Sequence, residues 1–140
     1  TKRAVQSFSI EQQKIIKVNQ SAKKIILTRA NSESITELII ILIDNALKYK
    51  SLNTNAEVTL KRAKGHVYCI VSNYGKGIKN EDISHIFQRF YQADKSRNKS
   101  INKGYGLGLS LAYEIVQLHH GEIFVKSVKN GKTSFIIKFS

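Results

Sequence analysis

The chain has 140 residues, with 23 Lys and Arg against 10 Asp and Glu, so its formal net charge is +13. This length is enough to bury a hydrophobic core without metal or disulfide staples, and a hydrophobic share of 41% with 24% charged residues excludes wholesale disorder. The lone cysteine, Cys69, excludes a disulfide framework and a multi-cysteine zinc site, and it is compatible with a reducing cytosol. The longest apolar run, Leu38–Ile43, is far shorter than the roughly 20 residues that a membrane helix needs.

Hydrophobic periodicity and the positions of glycine predict the elements in chain order. They are a strand at Val5–Ile10, a helix at Ile10–Ala22, a β-branched run at Lys24–Thr28, a helix at Ser34–Tyr49, strands at Ala56–Ala63 and Val67–Ser72, a helical start at Glu81–Phe90, a helix at Gly108–His119, and strands at Ile123–Val128 and Ser134–Phe139. Ser34 and Glu37 have the spacing of a capping box, Asn80 is a candidate cap, and Gly121 is expected to end the last helix. Hairpins mixed with helices predict an α/β sandwich, with a mixed, mostly antiparallel sheet covered by helices on one face.

A basic segment interrupts this pattern at residues 93–104. It contains Lys95, Arg97, Lys99 and Lys103 against a single acid, Asp94. Long polar loops inside compact domains are usually lids or binding loops, although an inert linker has the same composition.

The helix at Ser34–Tyr49 carries the first candidate chemistry. At about 100° per residue, Glu37, Ile41, Asn45 and Lys48 lie within a sector of roughly 80°. An amide oxygen is a ligand for Mg²⁺, and an ammonium group is a point charge for phosphate. By periodicity alone, an ordinary amphipathic helix with polar surface residues explains the pattern better.

Two shorter segments are weak signals on their own. Gly75 and Gly77 follow a predicted strand, where they permit positive φ and close approach of a ligand to the backbone, or form a plain turn. Arg89 lies among aromatic residues, and its planar guanidinium suits phosphate oxygens as well as it suits a carboxylate.

The segment Gly104–Ser110 is more specific, because three glycines two residues apart open a predicted helix. Free N–H groups and the helix dipole at such a terminus favour an anion. The spacing differs from that of the dinucleotide-binding fingerprint.

The order and spacing of the four segments resemble the catalytic and ATP-binding domain of bacterial sensor histidine kinases, in the GHKL ATPase superfamily. Glu37–Tyr49 is similar to the family's N box, Asn73–Gly77 to its first glycine box, Phe87–Tyr91 to its F box, and Gly104–Leu109 to its second glycine box. The resemblance extends over roughly residues 8–139 and implies a Bergerat-type fold that binds ATP and Mg²⁺.

The resemblance also implies roles for individual residues. Catalytic roles fall to Glu37, Asn45, Lys48 and Arg89, with Asn45 on the metal, Lys48 and Arg89 on phosphate, and Glu37 in support. Nucleotide-binding roles fall to Asn45, Lys48, Tyr49, Asn73, Gly75, Gly77, Ile78, Phe90, Gly104, Tyr105, Gly106, Leu107, Gly108 and Leu109. Within that set, Tyr49 packs beside the nucleotide, Asn73 accepts from the adenine amine, and Ile78 walls the adenine pocket. Residues 92–103 would be the ATP lid of a single domain that occupies residues 1–140.

The sequence departs from the family pattern at several positions. Ile41 replaces a second asparagine, Asn73 replaces an aspartate, Lys76 stands where proline is usual, and Gln92 stands where a second arginine is often found. An isoleucine cannot ligate a metal, and an amide loses the charge assistance of a carboxylate, about 1 kcal/mol. These departures keep open a degenerate interaction module that binds nucleotide weakly or not at all.

The resemblance implies partners that the chain itself does not contain. The histidines, His66, His85, His119 and His120, all fall outside a long amphipathic helix of the kind that carries the phosphoacceptor. We therefore expect a dimerisation and phosphoacceptor domain upstream, a response regulator downstream in the relay, a monomeric isolated domain within a homodimeric protein, and a cytoplasmic location in a membrane-anchored sensor. A nucleic-acid partner, suggested by the charge alone, is disfavoured because no basic recognition helix or aromatic-interleaved basic strand is present.

Overall fold

The computed structural model describes residues 1–20, 30–91 and 107–140. Its elements are α1 (Lys2–Gln6), α2 (Ile10–Lys14), β1 (Ile16–Gln20), α3 (Ser32–Tyr49), β2 (Ala56–Ala63), β3 (His66–Tyr74), α4 (Asn80–Ile83), α5 (Gly108–Leu118), β4 (Glu122–Ser127) and β5 (Lys132–Phe139). Five strands form one sheet in the order β1-β2-β3-β5-β4. Among the strands that the structure describes, only the β1–β2 pair is parallel, so the predicted mixed, mostly antiparallel sheet is confirmed.

The helices α3 and α5 pack against each other and onto one face of the sheet. Alternation along the strands sets this face, because every second residue of β5 from Thr133 to Phe139 is buried. On α3 the apolar stripe is nearly solvent-free, with Leu42 and Ile43 both 0% exposed. The predicted α/β sandwich with one helical layer is therefore correct.

Both predicted hairpins are present. β2 and β3 pair from Glu57–Ser72 to Ala63–His66, and the two turn residues Lys64 and Gly65 both have positive φ, as a tight hairpin turn requires. β4 and β5 pair from Glu122–Lys138 to Ser127–Thr133, with Asn130 at φ 52° in the connecting turn.

The predictions for the first twenty residues are wrong in detail. Val5–Ile10 is not a strand, because α1 ends at Gln6 and Ser9 begins α2 with a capping box to Gln12. Only the first part of the helix predicted at Ile10–Ala22 forms, and Ile16–Gln20 pairs with β2 instead. Burial of Ile16 (7% exposed) and backbone pairing outweigh the helical spacing there. The β-branched run at Lys24–Thr28 lies outside the described residues.

Three predicted helix termini also differ from the structure. Asn31, and not Ser34, caps α3 by accepting from the N–H groups of Glu33 and Ser34, so the Ser34–Glu37 box does not form. Helix α4 is only four residues long, and its N-cap is Lys79, not Asn80. These shifts of the N-cap, by three residues in α3 and by one residue in α4, change which N–H groups are free but leave the helix faces as predicted.

At the end of α5, His120 takes the left-handed conformation at φ 53° that was expected of Gly121. The N–H of Gly121 donates to Val116 O at 2.9 Å, which completes a Schellman turn. Gly121 is required for space, since a Cβ there would lie 2.8 Å from the Phe139 ring. In the described part of the chain, no helix is both long and apolar enough to cross a membrane.

Candidate functional site

A row of polar side chains interrupts the apolar face of the sheet at one end. Asn73 on β3 is 4% exposed and pairs with Thr133 on β5, which is 5% exposed. Thr133 in turn pairs with Ser127 on β4, and their hydroxyl oxygens are 2.7 Å apart. We call these three residues the polar strand ends. Buried polar groups need hydrogen-bonding partners, so this end of the core is suited to a ligand that donates and accepts hydrogen bonds.

Sequence reasoning identified Asn73 but missed Thr133 and Ser127. The signal was available, because Thr133 is in phase with Phe135, Ile137 and Phe139, which are the inward positions of β5. The predicted strand began one residue too late to include it.

The glycine turn after β3 is held between α3 and the β4–β5 turn. A Cβ on Gly75 would lie 2.3 Å from the carbonyl oxygen of Tyr49, and a Cβ on Gly77 would lie 2.6 Å from that of Val128. Gly77 has φ +83°, as predicted from its residue type, while Gly75 is needed for space alone. The close approach is therefore to protein backbone, and it fixes the turn beside the polar strand ends.

Ile78 follows this turn and is half-buried against the core. Its N–H donates to Ser127 Oγ at 2.8 Å, which ties the glycine turn directly to the polar strand ends. The predicted adenine-site residues Asn73, Gly75, Gly77 and Ile78 are thus brought together.

The face of α3 predicted to carry chemistry is partly accessible. Asn45 is half-buried, while Glu37 and Lys48 are exposed. The Lys48 ammonium lies 5.3 Å from the centroid of the Tyr49 ring, and Tyr49 is 53% exposed. These side chains are available to a ligand that lies along the helix.

An open groove of about 440 Å³ separates α3 from α5. Its lining residues are Glu37, Ile41, Arg89, Leu107, Gly108, Ser110, Leu111 and Glu114. A Cβ on Gly108 would lie 3.5 Å from Ile41 Cγ2, so the start of α5 lies against α3 at the position of the family's missing asparagine. We call this space the α3–α5 groove.

The N-terminus of α5 opens onto the groove without a side-chain cap. Its N-cap is Leu107, which has no side-chain acceptor, and Ser110 Oγ donates to Leu107 O instead of capping an N–H group. The first-turn N–H groups and the helix dipole therefore favour an anion at this end. Leu109 points the other way and packs against the core.

Arg89 already has an anionic partner. Its guanidinium donates to the Glu114 carboxylate with an N–O distance of 2.6 Å, and this hydrogen bond and the charge of Glu114 raise the pKa of Arg89. Both side chains are largely exposed, at 67% and 48%. Phe90, the next residue, is 72% exposed and does not line the groove.

The predicted residues thus fall into two clusters joined by α3, at the polar strand ends and in the α3–α5 groove. Gly104, Tyr105, Gly106 and the predicted lid at residues 92–103 lie outside the described residues. Within residues 1–20, 30–91 and 107–140, no group of three or more His, Cys, Asp or Glu side chains is arranged to hold a metal ion.

The chain matches known proteins over most of its length. Residues 30–140 match the family of histidine kinase-, DNA gyrase B-, and HSP90-like ATPases. The sensor histidine kinase YkoH of Bacillus subtilis (strain 168) is 38% identical over 121 residues, which is 86% of this chain and 26% of that protein. The chain spans about a quarter of the length of the curated relatives it matches.

Solved structures have the same fold. The mycobacterial sensor histidine kinase MprB superimposes with a TM-score of 0.83 at 21% identity, covering 99% of this chain and 91% of that one. A nucleotide-free form of the catalytic domain of histidine kinase ThkA superimposes with a TM-score of 0.81 at 25% identity, covering 99% of this chain and 89% of that one.

Proposed function

The chain belongs to the family of histidine kinase-, DNA gyrase B-, and HSP90-like ATPases, as its motifs predicted, and from this premise we propose that it is the ATP-binding catalytic domain of a sensor histidine kinase. In this role it transfers the γ-phosphoryl group of ATP to a histidine on a dimerisation domain of the same protein. The phosphoryl group then passes to an aspartate of a response regulator. We further propose that residues 1–140 form a single domain, and that this domain is the cytoplasmic part of a membrane-anchored, homodimeric sensor.

One observation carries this proposal: α3 contacts both halves of the candidate site. Near its end, the carbonyl of Tyr49 lies against Gly75, and two turns earlier Ile41 lies against Gly108. Tyr49 is eight residues after Ile41, so the two contacts are about 12 Å apart along the helix. That length accommodates a base at one end, a sugar, and a chain of phosphates at the other, with Asn45 midway.

At the base end, the polar strand ends suit adenine. The Asn73 side chain would accept from the exocyclic amine, with Thr133 and Ser127 available as further partners. Ile78 is half-buried and would pack on the ring, and Tyr49 is exposed enough to pack beside the nucleotide. Hydrogen-bonding groups at the edge and apolar groups on the faces are what a planar heterocycle requires.

At the phosphate end, the uncapped N-terminus of α5 would bind the phosphate oxygens. The exposed Lys48 begins beside Tyr49, and its long side chain would reach along α3 to the phosphates. The described residues form no metal cage of their own, and this fits Mg²⁺, which is usually held by one or two protein oxygens, phosphates and water. Asn45 would be its protein ligand, and Glu37 would support the bound water. Bound Mg²⁺ supplies positive charge that neutralises the phosphates during transfer.

Phosphoryl transfer asks the protein for positioning and charge stabilisation more than for covalent chemistry. The acceptor histidine lies on the dimerisation domain in this proposal, so the chain's own residues bind and orient the nucleotide. Gly104, Tyr105 and Gly106 would add backbone contacts to the phosphates, and residues 92–103 would cover them.

Isothermal titration of the chain with the non-hydrolysable analogue AMPPNP and Mg²⁺ tests this function. We expect saturable binding at or below millimolar concentration, and at least a tenfold weakening in Asn45→Ala, about 1.4 kcal/mol. Asn19→Ala, at an exposed position on β1, is the matched control and should bind as the parent chain does. No heat of binding at millimolar AMPPNP would leave a degenerate interaction module as the better description.

A further inference from the structure

The ion pair of Arg89 with Glu114 lines the α3–α5 groove, and it occupies a cation that the proposed function assigns to phosphate. The N–O distance of 2.6 Å shows a direct, charge-assisted hydrogen bond between the two side chains. Both residues line the groove, so the pair faces the space in which the phosphates would lie.

Glu114 holds the Arg89 guanidinium beside the second turn of α5. Glu114 is six residues after Gly108, which places it about 9 Å further along the helix axis. The guanidinium N–H group that donates to Glu114 is not available to an anion at the helix N-terminus. Arg89 must therefore give up this hydrogen bond before that group can bind phosphate.

The neighbouring backbone is consistent with a held conformation. Phe90 has φ 62°, which is unfavourable for a bulky side chain, and its ring is 72% exposed, so burial of the ring does not compensate. On the other side, the Tyr91 hydroxyl donates to the Asp82 carboxylate. Phe90 thus lies between two residues whose side chains are hydrogen-bonded to helices, Arg89 to Glu114 of α5 and Tyr91 to Asp82 of α4.

The charges of the groove lining also indicate that the ion pair opposes phosphate binding. Among the described residues, its lining includes two carboxylates, Glu37 and Glu114, and one cation, Arg89. While Arg89 is paired with Glu114, the described part of the lining presents no free positive side chain to an anion. Removing the charge of Glu114 would free the Arg89 guanidinium and would also remove the repulsion between the Glu114 carboxylate and a bound phosphate.

We propose that Glu114 is a positioning residue that competes with the nucleotide phosphates for Arg89, so that the ion pair sets nucleotide affinity. This inference rests on the proposed function, since it needs a polyphosphate ligand in the groove. The pair is solvent-exposed, and exposed pairs are weak, so the expected effect is about two- to five-fold in Kd.

The test is titration of Glu114→Gln with AMPPNP and Mg²⁺, and separately with adenosine, which has no phosphate. We expect two- to five-fold tighter binding of AMPPNP and unchanged binding of adenosine. The matched control is Glu122→Gln on β4, which removes an equal charge. Glu122 forms an ion pair with Lys138 at an N–O distance of 2.9 Å, and its loss should change the affinity for neither ligand. If Glu114 had only a structural role, Glu114→Gln would change the affinity for both ligands or the melting temperature, and either result would contradict the proposal.

Arg89→Ala separates competition from simple charge repulsion. In that background Glu114→Gln should have less than half of its effect on ln Kd, because no guanidinium remains to be released. An undiminished effect there, or none in the parent background, refutes the competition while leaving AMPPNP binding intact. Failure of the parent chain to bind AMPPNP overturns both this inference and the proposed function.

Discussion

Gly75 offers a direct test of the packing that holds the glycine turn. Its φ is outside the left-handed region, so Gly75→Ala adds a Cβ without backbone strain. That Cβ would lie 2.3 Å from the Tyr49 carbonyl oxygen, against an ordinary contact of at least 3.4 Å, so the two segments must separate by about 1 Å.

The turn has little freedom to make this movement. Ser51 N–H donates to Tyr74 O at 2.7 Å, Gly75 N–H to Gly131 O at 3.0 Å, and Asn130 N–H to Lys76 O at 2.9 Å. Overpacking typically costs about 1–3 kcal/mol, and weakening even one of these hydrogen bonds adds about 1 kcal/mol. We therefore expect Gly75→Ala to lower the free energy of unfolding by about 3 kcal/mol.

Urea unfolding followed by circular dichroism measures this loss, with Gly65→Ala as the matched control. Gly65 has φ +80° and nothing within 4 Å of an added Cβ, so it reports backbone strain without a clash, about 1 kcal/mol. If Gly75→Ala loses no more stability than Gly65→Ala, the contact with Tyr49 is not a constraint and the reasoning is wrong.

Two further predictions concern single buried or bridging groups. Burial raises the pKa of the Cys69 thiol to about 12, so the folded state keeps a proton that the unfolded chain loses above about pH 9. The free energy of unfolding should therefore fall as the pH rises from 9 towards 12, and Cys69→Val, measured in parallel, should show a shallower fall; equal slopes would contradict the burial argument. His119 Nε2 accepts from Asn31 N–H at 3.1 Å and its Nδ1 lies 2.8 Å from Ile115 O, which joins the end of α5 to the start of α3. His119→Phe should cost about 1 kcal/mol in thermal or urea unfolding, and unchanged stability would show that water replaces the bridge.

Local patterns were sufficient where neighbouring residues in the sequence decide the structure. The two hairpins follow from alternation and from turn residues such as Lys64–Gly65, because a short turn sets its own register. Helix α3 follows from its apolar period over eighteen residues, Ser32–Tyr49. Four short segments in the right order were enough to predict the family: three contain glycine or asparagine, and the fourth, Phe87–Tyr91, has aromatic residues around Arg89.

Local patterns failed where a distant partner decides. Ile16–Gln20 is a strand because β2, forty residues away, pairs with it in parallel, and no short window of sequence contains that partner. The cap of α3 at Asn31 depends partly on His119, eighty-eight residues away.

The candidate site divides in the same way. Through the resemblance to the family, the sequence predicts one nucleotide site that includes Asn73, Asn45 and the glycines, and this assignment stays a prediction. Only the tertiary structure revealed Thr133 beside Asn73, the carbonyl of Tyr49 as the reason for Gly75, and Glu114 as the present partner of Arg89. Strand pairing, backbone contacts and ion pairs join residues that are far apart in the chain. The hydrophobic periodicity of a sequence indicates only which face of a helix or strand each side chain lies on, so it does not identify these partners.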